Sequence, residues 1–356
     1  MKARVGRLVD LLPEADVDLL LVTNLVNIRY LTGYTGSNGL VLVGPRTRTF
    51  ITDFRYVEQA AEEVHPSFER RRATRDLVEA LGEAIPADAV RLGFEAAHTT
   101  VREHARLAEL LPGVELVGLT GIVERLRAVK EPEEIEDIRA AAALADTAFE
   151  RLLHDGLIGR TEREVAIALE HAMLLRGAEG PSFKTIVATG PRAALPHARP
   201  REVEIRRGDL VVIDWGAELD GYCSDCTRTV AAGEPGESAR EIYELVLEAQ
   251  QAGLDAVRSG AGGREVDQIA RTVIEDGGYG EQFGHGLGHG VGLEIHEGPR
   301  LSQRTDDVLR AGNVVTVEPG IYLPGRFGVR IEDLVVATED GCEVITSVSK
   351  RLIVAE

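Results

Sequence analysis

Lysine, cysteine and aromatic residues are all scarce in this sequence, and each scarcity closes off a class of protein. Lysine occurs only at Lys2, Lys130, Lys184 and Lys350, so arginine carries nearly all the positive charge. Against 40 basic residues stand 59 acidic ones, a formal net charge of −19. No local basic patch offsets it, which argues against a nucleic-acid partner. Three cysteines in 356 residues make no disulfide framework. Cys223 and Cys226 form a CxxC, but no second CxxC completes a zinc site, and both are read as strand residues without a redox role. Aromatics are 4 % of the chain, so aliphatic side chains must fill the core. Long apolar runs are missing too, and nothing spans a bilayer. Asp10, Glu14, Asp16 and Asp18 interrupt any secretory leader behind the basic start. The expectation is a soluble cytoplasmic protein with no membrane partner.

What is present divides the chain in two, as its length suggests. Residues 1–125 alternate strand and helix signals. Leu19-Leu20-Leu21-Val22 is a buried-strand run, Gly39 to Val43 another, and Thr49 to Thr52 a third. Arg102 to Leu111 reads as a helix stopped by Pro112-Gly113. This is an α/β domain. A break falls at Val129-Lys130-Glu131-Pro132, where proline and acids suit the first turn of a helix. Ile135, Ile138, Ala142, Ala145, Phe149 and Leu152 then recur at steps of three and four, one buried face. The second domain is placed over residues 131–356.

That second domain repeats itself. Arg206 to Gly216 aligns with Arg310 to Gly320: a turn, an apolar strand, then a carboxylate and a glycine. Arg163-Glu164-Val165 matches Arg264-Glu265-Val266, and the His-x-x-Pro beginning at His197 matches the one beginning at His296. Two copies at offsets of about 100 residues suit a pseudo-twofold domain with its site between the halves, not a solenoid.

Paired acids sit at matching places in the two copies. A turn centred on Asp220-Gly221 sets Asp214 opposite Thr227 and leaves Asp214 and Asp225 as diagonal neighbours on one face. Two carboxylates so close repel unless a cation lies between them, although alone they also read as ordinary acids near a turn. Glu318 and Glu332 are each seven positions from Gly325, so a turn there puts them opposite one another. Arg330 shares the strand face of Glu332 and can fix a carboxylate, and the flanking valines argue for burial. Between the pairs runs Phe283 to Glu297, with His285, His289 and His296 spaced by glycines. It lacks the His-Glu-x-x-His of the common zinc helix. Four carboxylates and an imidazole can hold two divalent ions, and oxygen-rich ligation favours manganese, cobalt or zinc. Such a pair is hydrolytic equipment.

These strings resemble the pita-bread metallopeptidases of the prolidase and aminopeptidase P branch. They are Val212 to Gly216, Ser224 to Thr229, His285 to His289, Val317 to Gly320 and Val329 to Asp333. Asn27 to Gly33 and Gly36 to Gly39 resemble the creatinase-type amino-terminal domain. The resemblance implies an α/β N-terminal domain followed by an α+β pita-bread catalytic domain with internal duplication. It implies two divalent ions, most readily Mn2+, held by Asp214, Asp225, His289, Glu318 and Glu332, with Asp225 and Glu332 bridging. A bridging hydroxide would attack the scissile carbonyl, Glu318 would shuttle the proton, and His197, His285 and His296 would contact substrate. The implied activity is an Xaa-Pro aminopeptidase acting on peptides with proline second, in a homodimer. The alternatives are an Xaa-Pro dipeptidase and a non-catalytic binding protein of the same shape. Arg300 is a candidate grip for a dipeptide's carboxylate, or a plain surface arginine. Arg330 is the other candidate substrate contact.

Overall fold

The computed structural model describes residues 1–356, and its contacts divide into two compact units, Met1–Arg127 and Ala128–Glu356. In the first unit six strands form one sheet: β1 (Leu19–Val22), β2 (Leu40–Val43), β3 (Arg48–Thr52), β4 (Glu69–Arg72), β5 (Arg91–Glu95) and β6 (Glu115–Leu119). Their order is β4-β3-β2-β1-β5-β6. The central β1 and β2 are fully buried, as runs of four aliphatics must be. The helices of this unit are α1 (Lys2–Leu11), α2 (Leu25–Thr32), α3 (Val57–Glu63), α4 (Leu77–Ala84), α5 (Val101–Leu110) and α6 (Glu124–Ala128). The expected Arg102 helix is α5, fixed at its start by a capping box between Thr100 and Glu103.

The second unit opens with α7 (Pro132–His154), begun by Pro132 and a Glu131–Glu134 capping box. Ile138, Ala142, Ala145, Phe149 and Leu152 are buried, and Ile135 is half-buried, so the face read from the spacing is the packed one. α8 (Glu162–Leu174) follows, then β7 (Gly180–Pro181), β8 (Ile186–Thr189), β9 (Leu210–Trp215), β10 (Ala217–Leu219), β11 (Tyr222–Cys223) and β12 (Cys226–Ala232). The second half supplies α9 (Glu237–Ala256), α10 (Gly263–Asp276), β13 (Gly288–Gly290), β14 (Glu297–Leu301), β15 (Val314–Val317), β16 (Gly320–Leu323), β17 (Phe327–Arg330), β18 (Asp333–Ala337), β19 (Cys342–Val344) and β20 (Ile353–Ala355).

The duplication is visible in the sheets. β8-β9-β12 in one half and β13-β15-β18 in the other are antiparallel triplets, extended by β20 and by β14 and β19 respectively. A helix pair covers each: α7 and α8 pack on β9 and β12, and α9 and α10 on β15 to β18. Trp215 locks the first half. Its ring stacks on Phe149 with centroids 4.0 Å apart, and its indole N–H donates to Ala145 O at 3.1 Å. Such a stacked pair adds about 0.5–1.5 kcal/mol beyond area burial. Both cysteines of the CxxC are buried on strands, as the sequence suggested. No helix is long and apolar enough to cross a membrane.

Candidate active site

Strand register brings the acids together. Thr227 pairs with Asp214, and Leu219 pairs with Tyr222 around a turn in which Asp220 and Gly221 both have positive φ. That is the twist-matched turn an Asp-Gly dipeptide favours. The ladder parts at Gly216, which sits so close to Ser224 O that a Cβ there would overlap it. Asp225 falls in this gap, next to Asp214. In the other half, Gly320 pairs with Arg330 and Val317 with Asp333, so Glu318 and Glu332 face each other in a second gap. Gly288 makes the matching close approach, to Thr316 O.

Asp214, Asp225 and Glu332 each present a carboxylate oxygen within 4.8 Å of the other two. All three are buried or nearly so, at 9 %, 5 % and 2 % exposure. Burial and then mutual repulsion raise Asp225 and Glu332 well above the usual carboxylate range. Burial raises Asp214 too, against the pull of Arg330. Glu318 stands slightly apart from the three. Burial lifts it to about 7, and its Oε1 accepts from the Thr316 hydroxyl at 3.1 Å.

The imidazoles join on from β13 and its flanks. His289 Nε2 lies 3.6 Å from Asp225 Oδ2 and 3.4 Å from Glu318 Oε1. Its Nδ1 lies 3.1 Å from Gly290 O, and a carbonyl only accepts, so the ring proton is on Nδ1. Burial, then His296, lowers His289 to about 3, so the ring is neutral. A neutral Nε2 lone pair therefore points at two carboxylates. His296 packs edge-on against His289, centroids 4.4 Å apart. Burial lowers His285 to about 4, and its Nε2 lies 3.0 Å from the Tyr322 hydroxyl.

A divalent cation fits this arrangement on two independent observations. Asp214 Oδ1 is buried without a hydrogen-bond partner, while its Oδ2 is held by Arg330. The His289 Nε2 lone pair faces two acid side chains, at 3.4 Å and 3.6 Å. A divalent cation among these groups would satisfy them, as buried polar atoms require.

The five acids and imidazoles singled out from the sequence line one cavity of about 850 Å³, together with His197, His285, His296, Arg300 and Arg330. Arg300 is exposed on β14. Arg330 fixes a carboxylate, as its place on the strand suggested, and the carboxylate is that of Asp214. Its guanidinium donates to Asp214 Oδ2 at 2.6 Å, Tyr322 Oη at 2.8 Å, Thr227 Oγ1 at 3.0 Å and Pro196 O at 3.2 Å, which makes it a brace. Sequence reasoning passed over three residues. Thr227 donates to Glu332 Oε2 at 2.7 Å, Thr316 bonds both Glu318 and the His289 N–H, and Tyr322 links His285 to Arg330. Strand alternation was the available signal: Thr316, Glu318 and Tyr322 are an even-numbered series on one face.

Comparison with known proteins agrees with this geometry. Residues 136–339 match the model of metallopeptidase family M24, and residues 4–129 that of the creatinase/prolidase N-terminal domain. The structure of an Xaa-Pro dipeptidase from Bacillus anthracis is similar at a TM-score of 0.97 and 44 % identity, over 99 % of both chains. An X-Pro aminopeptidase from Thermotoga maritima gives a TM-score of 0.92 at 39 % identity, over 99 % of this chain and 100 % of that one. The Xaa-Pro dipeptidase of Pyrococcus furiosus is 39 % identical over 357 residues, 99 % of this chain and 100 % of its own.

Proposed function

The chain belongs to metallopeptidase family M24, with a creatinase/prolidase N-terminal domain, and from that premise we propose that it is an Xaa-Pro dipeptidase. It would hydrolyse the bond between a first residue and a terminal proline. One observation carries the metal-dependent reading: three buried carboxylates from two halves of the unit crowd within 4.8 Å, and one of their oxygens has no partner. The pita-bread architecture expected from the sequence is the one its relatives share. The likeness to the Bacillus anthracis and Pyrococcus furiosus dipeptidases weighs toward dipeptides, and so reverses the order the sequence alone suggested. The Thermotoga maritima likeness supports the aminopeptidase as second reading. The non-catalytic alternative is set aside, because every candidate ligand is present.

Asp214, Asp225, His289, Glu318 and Glu332 would hold two divalent ions. Oxygen-rich ligation with one imidazole suits manganese, with cobalt or zinc as alternatives. Bound there, such ions acidify a water and polarise the scissile carbonyl. The chain's own residues do the rest. Glu318 accepts the proton that the attacking water gives up, then returns it to the prolyl nitrogen as the C–N bond breaks. Proline offers no amide N–H, so its ring shape must be recognised instead. His197 and His296 donate to the carbonyl oxygen as charge develops. His285 contacts the same end of the substrate and holds the Tyr322 hydroxyl. Arg330 fixes one oxygen of Asp214 and leaves the other free. Arg300 grips the free carboxylate bidentately.

Rates on matched Xaa-Pro and Xaa-Pro-Yaa peptides test this reading. Dipeptides should be cut much faster, and Arg300→Ala should raise their KM by about 10–10²-fold, the range of a lost charged hydrogen bond. Tripeptides cut as fast as dipeptides, with no effect of Arg300→Ala, would establish the aminopeptidase instead.

A further inference from the structure

Helix α10 carries a buried ion pair that the reaction described above does not use. Asp267 and Arg271 stand one turn apart and are 0 % and 6 % exposed. Arg271 Nε donates to Asp267 Oδ2 at 2.9 Å and Nη2 to Oδ1 at 3.0 Å. A helix gains little from burying such a pair, because desolvation offsets the attraction unless the remaining donors and acceptors find partners. Here they do, and all of those partners lie on one segment, Phe283–Leu287. Arg271 Nη1 donates to Phe283 O and Nη2 to His285 O, both at 2.7 Å. Asp267 Oδ1 accepts from the Leu287 N–H at 2.9 Å. The guanidinium also lies 4.1 Å above the Phe283 ring, which meets the His285 ring edge to face at 5.1 Å.

Besides these bonds the segment has the His285 Nδ1 contact to Gly286 O at 2.8 Å and the packing of its rings. Gly284 to Gly286 make no backbone–backbone hydrogen bond of their own, and two of the three are glycines. A glycine-flanked histidine has many backbone conformations open to it. Yet the His285 ring must stand at the cavity wall with Nε2 on the Tyr322 hydroxyl. We propose that Asp267 and Arg271 are positioning residues for His285. They grip the backbone on both sides of it from a rigid helix, and so set its ring in the cavity. The inference rests on the reading of His285 as a substrate contact in an Xaa-Pro peptidase.

Arg271→Met and His285→Ala, singly and together, test it in the metal-loaded enzyme. Arg271→Met should lower kcat by about 10–10²-fold, the penalty of a displaced reacting group, with KM nearly unchanged. In the His285→Ala background the same substitution should change kcat by less than about twofold, because its effect runs through that ring. Metal content should stay at the wild-type level. With 13C-labelled histidine and diamagnetic zinc in the site, the His285 ring signal should shift or broaden in Arg271→Met while those of His197 and His296 hold. If Arg271→Met does not fold, Arg271→Lys serves: it keeps the charge but cannot reach both carbonyls. Additive kcat losses, a lost metal ion or an unmoved His285 signal each overturn the proposal. If the signal moves and His285→Ala turns over normally, the clamp stands and it is the catalytic role of His285 that falls.

Discussion

Arg330 Nη2 lies 2.6 Å from Asp214 Oδ2, joining a strand of one half of the second unit to a strand of the other. The arginine is 3 % exposed and the aspartate side chain 13 %. Removing one partner of such a pair costs about 3–5 kcal/mol, because the other charge is left buried. Burial already raises Asp214, so it can take a proton when Arg330 is absent, which favours the low end of that range. Arg330→Met should therefore destabilise the metal-free protein by about 3 kcal/mol. Denaturant unfolding in excess chelator measures this, and an unchanged midpoint would show that the pair is not closed in solution.

The acids near that arginine make a second prediction, about charge. Asp225, Asp214 and Glu332 crowd together, and repulsion is part of what raises Asp225 and Glu332. Chelation should abolish hydrolysis, and manganese or cobalt should restore it. Wild-type Tm should fall on chelation, since a ligand that binds only the folded state stabilises it. Asp225→Asn should lose activity, and its Tm should respond less to chelator, because neutralising one acid relieves the metal-free state. A full Tm response and retained turnover in that variant would refute the assignment.

Much of this was legible in the sequence because strand pairing is local arithmetic. One Asp-Gly turn fixes the partner of Asp214 as Thr227, and one Pro-Gly turn fixes the strands on either side of Glu318 and Glu332. The α7 face was legible for the same reason, since Ile138 to Leu152 follow the helical period. Contacts between halves were not. Nothing in the spacing says that Arg330 reaches across to Asp214 and not to Glu332 beside it, or that Glu318 stands outside the three-acid group. Nor does hydrophobic periodicity reveal Asp267 and Arg271, which sit on the packed stripe of α10 among Val266, Ala270 and Ile274. An ion pair at that spacing reads as a solvated helix face.

Asp18, in the first unit, carries a prediction about pH. Its Oδ2 accepts the backbone N–H groups of Val90 and Arg91, both at 2.8 Å, and these bonds hold its pKa below the ordinary 3.8. A depressed carboxylate adds stability above its unfolded pKa and loses it as pH falls through the folded value. Asp18→Asn keeps an acceptor oxygen but loses the charge. It should lower the unfolding midpoint of the first unit at pH 7, and the difference from wild type should be smaller at pH 3, below the unfolded value of 3.8. A deficit of the same size at both pH values would mean that the effect is steric.

The histidines give the last prediction, and it follows from the duplication. His197 and His296 hold matching His-x-x-Pro positions, and both line the cavity that the acids line. The His289 ring stands against the acids, its Nε2 at 3.4 Å and 3.6 Å from Glu318 and Asp225, with Nδ1 engaged by Gly290 O. A neutral imidazole so placed suits a metal ligand, its tautomer set by the backbone carbonyl. His289→Ala should therefore lose metal. His197→Ala and His296→Ala should keep close to the wild-type metal content but lose about 10²–10³-fold in turnover, the usual cost of one donor to a developing oxyanion. Elemental analysis of the three purified variants, read beside kcat, separates the roles. His296 is the sharper case because its ring packs on His289 at 4.4 Å, so its removal tests whether that contact only supports the ligand. Metal lost from His296→Ala and retained in His289→Ala would reverse the two assignments.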